Sequence, residues 1–210
     1  MLKIYITRHG QTQWNLEERL QGWRDAPLTD IGKKQAEALG KRLQEIDIDK
    51  VYCSPLGRTL ETAKIALDGK NDIDIVLDER LKEINMGEWE GMKAEIVEEK
   101  YPEYYDMFWN SPDKYEPKTG ESYHETQERV IEALDDIIEN NSDETILIIT
   151  HGCAGKIMLA HFEGRPLSEL WNPPPLKETN LSLIEIDGEE SSILMYGDTS
   201  HLEGLESEEN

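Results

Sequence analysis

The sequence LKIYITRHG at residues 2–10 is a short β-rich run that ends abruptly in an Arg-His-Gly tripeptide. The sequence ETILIITHG at residues 144–152 repeats the arrangement, with a β-rich run that stops at a His-Gly pair. Between them lie two more β-rich runs, at 49–53 and 73–77, and segments with helical patterns separate the runs. Strands that alternate with helices predict an α/β domain with a mostly parallel sheet.

Residue patterns also mark where several helices begin. Thr29 is the predicted N-cap of the first long helix. Ser122 and Glu125 have the capping-box spacing at the start of a helix that runs to about residue 140. The remaining predicted elements are helices near 56–67 and 153–162 and two closing strands, 180–186 and 192–197, which flank the hairpin signal Asp187-Gly188.

One segment breaks the strand–helix rhythm. Residues 86–120 are acidic and unusually aromatic, and we interpret them as short helices and a loop inserted over one end of the sheet. We therefore predict a single domain at residues 1–200 that carries this cap. The last ten residues, 201–210, hold four glutamates and no Lys or Arg, which is typical of a frayed, solvated tail.

The charge balance restricts the partners. The chain of 210 residues carries 22 Lys and Arg against 45 Asp and Glu, a formal net charge of −23. A nucleic-acid-binding protein would show a basic patch and a high pI, and an anionic membrane would repel this chain. We therefore expect neither partner. An anionic substrate would need a local cluster of cations, because the overall field opposes it. The oligomeric state stays open.

Targeting and redox signals favour the cytoplasm. No window approaches the roughly 18 uninterrupted apolar residues of a transmembrane helix. The start of the chain lacks the apolar region and small-residue cleavage site of a signal peptide. Two cysteines, Cys53 and Cys153, make neither a disulfide framework nor a CxxC motif. We expect a protein of the reduced cytoplasm.

Residues suited to chemistry follow the predicted strands. In open α/β sheets, ligands bind outside the carboxyl ends of the strands. The segments in that position are Arg8-His9-Gly10, SPLGR at 54–58, DERLKE at 78–83 and His151-Gly152. The sequence therefore predicts that two histidines, at least two arginines and a carboxylate meet at one edge of the sheet.

This set of residue types suits phosphoryl transfer. Planar guanidinium groups bind phosphate oxygens and keep their charge, and glycine lets the backbone approach the anion closely. A neutral imidazole can attack phosphorus and form a covalent phosphohistidine, and adjacent arginines help to keep it neutral. A second histidine could donate to the phosphoryl oxygens. A carboxylic acid could protonate the leaving alkoxide and then activate water.

The motifs of other phosphate-binding and phosphatase families are not matched by the residue spacing in this sequence. GCAGK at residues 152–156 is not a Walker A motif, because Thr150 and Ile157 stand where that motif needs glycine and Ser or Thr. CSPLGR at residues 53–58 has one residue too few between Cys and Arg for a cysteine phosphatase loop. We find no HExxH and no Asp/His clusters with the spacing of a metal site. The sequence therefore indicates catalysis with no metal and no other cofactor.

Arg8-His9-Gly10 followed by Gln-Thr-Gln-Trp14-Asn15 closely resembles the signature of the histidine phosphatase (phosphoglycerate mutase-like) superfamily. The tripeptide alone is common, whereas an ordered series of motifs is highly specific. The supporting motifs, which run in order to about residue 160, are Gln21-Gly22, PLTxxGxxQA at 27–36, SPLxRTxxTA at 54–63, LxEIxxGxWxG at 81–91 and THG at 150–152.

The resemblance implies a three-layer α/β/α fold whose mostly parallel sheet has an antiparallel edge. It makes His9 the phosphorylated nucleophile and Glu83 the proton donor. The other site residues that it implies are Arg8, Arg58 and His151 in the phosphate pocket, and Asn15, Gln21, Gly22 and Gly152 along its lining.

The residues after Glu83 favour the phosphatase branch of that superfamily. True phosphoglycerate mutases resemble one another in a Glu-Arg-His-Tyr-Gly stretch, followed by basic residues that grip the substrate carboxylate. Here Ile-Asn-Met-Gly follows Glu83, and residues 83–106 contain eight acids, two lysines and no arginine. We therefore predict a histidine acid phosphatase-type enzyme, which hydrolyses small-molecule phosphate monoesters without a metal through a covalent phosphohistidine.

Several alternatives stay open. The chain could be a cofactor-dependent phosphoglycerate mutase, or a non-catalytic module that binds a phospho-ligand. The aromatic residues between 101 and 123 could stack on an apolar leaving group or pack between helices of the cap. Cys153 stands where relatives often carry a second glycine or small residue, and it is either a small filler or an oxidisable thiol beside the pocket. The natural substrate is open.

Overall fold

A six-stranded mixed sheet lies at the centre of the structure, a computed structural model that describes residues 1–70 and 73–205. Its strands are β1 (Leu2–Arg8), β2 (Lys50–Cys53), β3 (Ile75–Leu77), β4 (Thr145–Thr150), β5 (Leu181–Asp187) and β6 (Glu190–Asp198). They are ordered β3-β2-β4-β1-β5-β6 across the sheet. The first four strands are parallel, and β5 and β6 add an antiparallel edge. The predicted mostly parallel sheet is confirmed.

Seven helices of the described chain surround this sheet. They are α1 (Gln13–Leu16), α2 (Asp30–Leu43), α3 (Gly57–Ala66), α4 (Ala94–Lys100), α5 (Pro102–Asn110), α6 (Tyr123–Asn140) and α7 (Gly152–Glu163). Thr29 caps α2 by accepting from the Gly32 N–H, and Ser122 with Glu125 forms both bonds of the capping box on α6. Both predicted caps are confirmed. Within the residues described, none of the helices has the length and apolar character needed to cross a lipid bilayer.

Alternation along the buried strands divides the core into two layers. Ile146 and Ile148 of β4 pack in one apolar cluster with residues of α6 and α7. Leu147 and Ile149 pack in the other cluster with residues of α2 and α3. Because successive strand side chains point to opposite faces, a strand buried on both sides needs such a continuous apolar run. The protein is therefore a three-layer α/β/α structure.

The aromatic segment forms the predicted cap of short helices. Between residues 86 and 120 lie a 3₁₀ turn at Gly87–Trp89, helices α4 and α5, and a second 3₁₀ turn at Pro112–Lys114. Phe108 is buried at the centre of an aromatic cluster, with its ring centroid 4.9 to 5.9 Å from those of Trp89, Trp109, Tyr115 and Tyr123. Most of these aromatic rings therefore pack between elements of the cap.

The structure differs from the sequence prediction at two edges. The third strand was expected from residue 73 but is formed only by Ile75–Leu77 at one edge of the sheet, and all three side chains are exposed, so neither face of β3 is covered. The acidic tail was expected to fray, yet a 3₁₀ turn at Ser200–Leu202 buries Leu202, and His201 Nε2 donates to the Thr179 carbonyl. Residues 206–210 of the predicted tail lie outside the described residues.

Candidate active site

Two histidines meet at the carboxyl ends of the two central strands. β1 and β4 pair in parallel with Arg8 opposite Thr150, so His9 and His151 leave the sheet side by side. Their imidazole centroids lie 5.3 Å apart, and the two ring planes make an angle of 62°. Both rings are buried, and His9 is only 3% exposed. The two His-Gly pairs of the sequence are thus brought into one site.

The His9 ring is held with one nitrogen free to react. His9 Nδ1 lies 2.8 Å from the Gly10 carbonyl oxygen. Because a carbonyl can only accept, Nδ1 carries the proton and Nε2 keeps its lone pair. Burial, together with the charges of Arg58 and Arg8, holds the pKa of His9 well below the ordinary histidine value. The ring is therefore a neutral base and a candidate nucleophile at Nε2.

Close backbone packing fixes the loop that carries His9. A Cβ atom on Gly10 would lie 2.5 Å from the Gly32 carbonyl oxygen, so this approach requires glycine. The Gly10 N–H donates to Thr62 Oγ1 at 3.0 Å, and that hydroxyl donates to the Arg58 carbonyl at 2.7 Å. Helices α2 and α3 thereby locate the loop after β1.

Arg58 is clamped by a loop rather than left as an open fork. It lies in the first turn of α3, and its side chain is fully buried. Nη2 donates to the Gly22 carbonyl at 2.8 Å, and Nη1 lies 3.1 Å from the Arg24 carbonyl and 3.2 Å from Asp25 Oδ1. The buried Nε–H has no partner among the described residues. This donor can therefore serve a ligand.

Arg8 is held in the same manner from the other side of the site. Its Nη1 donates to the Leu176 carbonyl at 3.1 Å, and its Nη2 pairs with Glu178 at 3.2 Å. Its buried Nε–H makes no hydrogen bond to any residue in the described ranges. Protein groups thus engage the terminal nitrogens of both arginines, and each Nε is left open.

Ser54 sets the orientation of His151. The serine hydroxyl lies 2.8 Å from His151 Nε2, and both residues are fully buried. Burial and the charges of Arg58 and Arg8 hold the pKa of His151 well below the ordinary value, so the ring is neutral. In the tautomer that places the proton on Nδ1, the hydroxyl donates to Nε2, and Nδ1 has no partner within the described chain. His151 is therefore suited to donate to an anion.

Glu83 lies at the N-terminus of α7. Its carboxylate accepts from the Cys153 N–H at 3.1 Å, the Ala154 N–H at 3.3 Å and the Ile84 N–H at 3.0 Å. The position that a Cβ on Gly152 would occupy is 3.6 Å from Glu83 Oε2 and 3.7 Å from Arg8 Nε. Gly152 thus leaves the space between the carboxylate and the guanidinium open.

The three remaining predicted residues divide into lining and support. Asn15 and Gln21 line the same cavity as His9. Gln21 Oε1 accepts from the Thr12 hydroxyl at 2.9 Å, while its buried Nε2 lacks a partner in the part of the chain that is described. Gly22 does not line that cavity. It supplies a carbonyl to Arg58, and a Cβ there would lie 2.3 Å from Glu90 Oε1.

The sequence analysis did not identify two charged residues that hold the loops of the site in place. Glu90 is buried and accepts from the Trp23 and Arg24 N–H groups, each at 2.8 Å, which fixes the loop around Arg58. Arg129 of α6 donates at 2.7 Å to the Lys82 carbonyl and at 2.8 Å to the Glu83 carbonyl. Glu90 stands inside the LxEIxxGxWxG motif as an unassigned position, whereas nothing in the sequence around Arg129 marked it.

A cavity of about 340 Å³ opens above these groups. Its polar lining is Arg8, His9, Asn15, Arg19, Gln21, Glu83, Gly152, Cys153 and Lys156. Its apolar lining is Leu20, Met86, Phe108, Trp109, Trp171, Pro175 and Leu176. Burial raises the pKa of the Cys153 thiol well above its ordinary value, which makes it a poor nucleophile and a small, inert part of the wall.

Four polar atoms of the predicted site residues are left without a hydrogen-bond partner among the residues described. They are Arg8 Nε, Arg58 Nε, His151 Nδ1 and Gln21 Nε2, and all four are buried. Buried polar groups are normally hydrogen-bonded, so such a set indicates that a ligand completes it. Nowhere in residues 1–70 and 73–205 do three or more His, Cys, Asp or Glu side chains come together in a way that could hold a metal ion.

Known proteins resemble this chain in both sequence and structure. A 33% identical relative over 202 residues, covering 96% of this chain and 95% of its own, is phosphoserine phosphatase 1 of Hydrogenobacter thermophilus. A probable phosphoglycerate mutase of Escherichia fergusonii is 35% identical over 210 residues, with 97% and 96% covered. The solved structure of YhfR from Bacillus stearothermophilus superposes with a TM-score of 0.94 at 42% identity, over 97% of this chain and 100% of that one.

The family model of the histidine phosphatase superfamily (branch 1) matches residues 4–199. This range includes the paired histidines, both clamped arginines and Glu83. The chain therefore belongs to the histidine phosphatase superfamily.

Proposed function

We propose that this protein is a metal-independent phosphomonoester hydrolase that acts through a covalent phosphohistidine on His9. The observation that carries the proposal is the His9 ring, which is neutral, buried and fixed by Gly10 so that Nε2 keeps its lone pair. The unpartnered donors of Arg8, Arg58 and His151 suit the oxygens of a phosphoryl group bound next to that nitrogen. Among the described residues, none forms a hydrogen bond with these three donors.

The proposed reaction has two steps. In the first, the Nε2 lone pair of His9 forms a bond to phosphorus while the ester P–O bond breaks, and the leaving oxygen takes a proton from Glu83. In the second, Glu83 as a carboxylate removes a proton from water, whose oxygen attacks phosphorus and displaces His9. The arginines and His151 stabilise the charge on the equatorial oxygens in both steps. The products are an alcohol and inorganic phosphate.

We propose that the substrate carries an uncharged leaving group with an apolar or aromatic body. The supporting observation is the cavity wall, which includes Phe108, Trp109 and Trp171. Two cations besides Arg8 line the cavity, but Arg19 pairs with Glu17, and the ammonium group of Lys156 donates to acceptors of the protein. A second anionic group on the substrate would therefore displace existing interactions. The expected partner is a small-molecule phosphate monoester in the cytoplasm.

The test is release of inorganic phosphate in EDTA from a panel of monoesters. The panel contains p-nitrophenyl phosphate, naphthyl phosphate, sugar phosphates, phosphoserine and 3-phosphoglycerate, and the last is also assayed for isomerisation. We expect turnover that survives the chelator and is fastest for the aryl esters. His124→Ala, at an exposed histidine, is the matched control for His9→Ala.

Each alternative has its own signature in this panel. Isomerisation of 3-phosphoglycerate that exceeds its hydrolysis would favour the mutase. Binding of phosphate without release from any ester would favour the non-catalytic module. Turnover retained by folded His9→Ala would overturn the proposed mechanism, and a preference for phosphoserine over aryl esters would overturn the proposed leaving group.

A further inference from the structure

Lys156 is a buried cation to which the proposed reaction gives no role. It lies on α7 and is only 2% exposed. Its ammonium group lies 2.8 Å from the Asn172 carbonyl, 3.1 Å from the Pro174 carbonyl and 3.1 Å from the Tyr196 hydroxyl oxygen. An ammonium group has three N–H donors, and here each has an acceptor.

Keeping this lysine buried is unfavourable by itself. Burial, with the nearby charge of Arg165, lowers the pKa of Lys156 to about 8, while the Glu163 carboxylate acts in the opposite direction. Burial raises the pKa of Tyr196, so its hydroxyl stays protonated and can accept from the ammonium. The bonds that Lys156 makes must therefore offset a desolvation penalty. That makes their targets informative.

Two of the three acceptors, the Asn172 and Pro174 carbonyls, lie at one end of a segment that we call the strap, residues 172–178, and the third, Tyr196, lies on β6. At its other end the strap holds Arg8, because the Leu176 carbonyl accepts from Nη1 and Glu178 pairs with Nη2. Immediately after the strap, the Thr179 N–H donates to the Arg8 carbonyl at 3.1 Å. The strap thus determines where the Arg8 guanidinium points.

The middle of the strap packs tightly enough to link its two ends. A Cβ on Gly155, one residue before Lys156, would lie 3.2 Å from a methyl group of Leu176. A Cβ on Gly197 would lie 3.4 Å from the other methyl group. Leu176, whose carbonyl holds Arg8, is therefore seated between β6 and α7, the helix that carries Lys156.

We propose that Lys156 is a positioning residue for phosphate binding, which fixes the strap at residues 172–174 and through it the guanidinium of Arg8. The inference rests on the proposed function, because that function places Arg8 in the phosphate pocket. Lys156 itself does not touch the phosphoryl group. Its effect should therefore exist only while Arg8 is present.

The experiment is a double-mutant cycle, read out as the affinity for inorganic phosphate by calorimetry. Lys156→Met should weaken phosphate binding about tenfold, the scale of one charge-assisted hydrogen bond to Arg8. In the Arg8→Gln background, the same change should alter the affinity by no more than about twofold. Ser54→Ala removes the contact of His151 and leaves Arg8 in place. In that background Lys156→Met should again weaken phosphate binding about tenfold.

Three further variants separate positioning from loss of fold. Lys64→Met changes an exposed lysine of α3 and should leave phosphate affinity unchanged. Tyr196→Phe keeps the lysine but removes one acceptor, so it should weaken binding in the same Arg8-dependent way even if Lys156→Met does not fold. Lys156→Arg keeps a charged donor and should restore part of the affinity.

The double-mutant cycle can contradict the proposal as well as support it. An effect of Lys156→Met that is equally large with and without Arg8 would contradict the proposal, because it would indicate direct contact with phosphate or general destabilisation. The cycle uses binding only. If the wild-type protein binds phosphate but hydrolyses no ester, the proposed function fails, while the role of Lys156 is still decided.

Discussion

At the scale of single residues, the site works by fixing which nitrogen of each polar group is available. Gly10 engages Nδ1 of His9, so Nε2 of that ring presents a lone pair, and Ser54 engages Nε2 of His151, so Nδ1 of the second ring is left to face a ligand. The arginines are engaged at their terminal nitrogens and present Nε. Protein contacts thus hold each group in a fixed orientation, which is the condition for strong electrostatic stabilisation of a transition state.

Glu83 gives the first prediction, because its proposed role depends on the leaving group. Glu83→Gln retains an oxygen that can accept from the α7 N–H groups but cannot transfer a proton. We expect hydrolysis of alkyl phosphates to fall by about 100-fold or more, and hydrolysis of p-nitrophenyl phosphate to fall much less, because its leaving group needs little protonation. The measurement is kcat for both esters, and equal losses would argue against Glu83 as the acid.

At the scale of elements, the loops that follow several strands form the site, and buried charged side chains hold these loops together. Glu90 ties the cap to the loop at residues 22–24. Arg129 ties α6 to the segment that carries Glu83, and its guanidinium also pairs with Glu121 at 2.8 Å. These two residues connect the cap and the outer helix to the catalytic edge of the sheet.

Glu90 gives a prediction at this scale. Glu90→Gln replaces one carboxylate oxygen by an NH₂ group, which cannot accept from the backbone N–H groups of Trp23 or Arg24. We expect a loss of about 1–3 kcal/mol in the free energy of unfolding, and a raised KM because the loop that clamps Arg58 loosens. Urea denaturation and steady-state kinetics check both. Glu88→Gln, at an exposed neighbouring position, is the control. Equal changes of stability and KM in the two variants would refute the role of Glu90 in fixing the loop.

The sequence predicted those elements whose signals are local. Thr29 and the Ser122–Glu125 pair mark helix starts, and the alternation of β4 marks a strand covered on both faces. The positions of His9 and His151 followed from strand ends. Arg129 could not be predicted, because its role depends on which carbonyls α6 happens to face. The burial of Leu202 was missed for the same reason, since an acidic composition carries no sign of a tertiary contact.

At the scale of the whole molecule, a chain of net charge −23 holds the side chains of Arg58 and Arg8 largely or wholly buried beside two buried histidines. The same burial makes stability depend on pH. The pKa values of His9 and His151 are held well below the ordinary 6.5, chiefly by desolvation. The unfolded chain therefore takes up protons near pH 6.5 that the folded protein does not, so stability is full above that pH and is lost as the pH falls.

We expect the free energy of unfolding to fall between pH 7 and 5, with a slope that approaches about 1.4 kcal/mol per pH unit for each such histidine once the pH is below 6.5. Urea denaturation at several pH values measures this slope. His9→Asn should reduce it by the share of one histidine, whereas His124→Asn, at an exposed position, should leave it unchanged. A slope that is unaffected by His9→Asn would show that the His9 ring is not held neutral.

The most direct measurement is to trap the phosphoryl group. The protein is mixed with p-nitrophenyl phosphate, denatured at alkaline pH during turnover, and digested to map the modified residue by mass spectrometry and ³¹P NMR. We predict one phosphoryl group on His9, bonded to Nε2, that is absent from His9→Asn and still forms on His9 in His151→Asn. Sustained turnover with no phosphohistidine after rapid quenching, or a phosphoryl group found on His151 instead, would contradict the account.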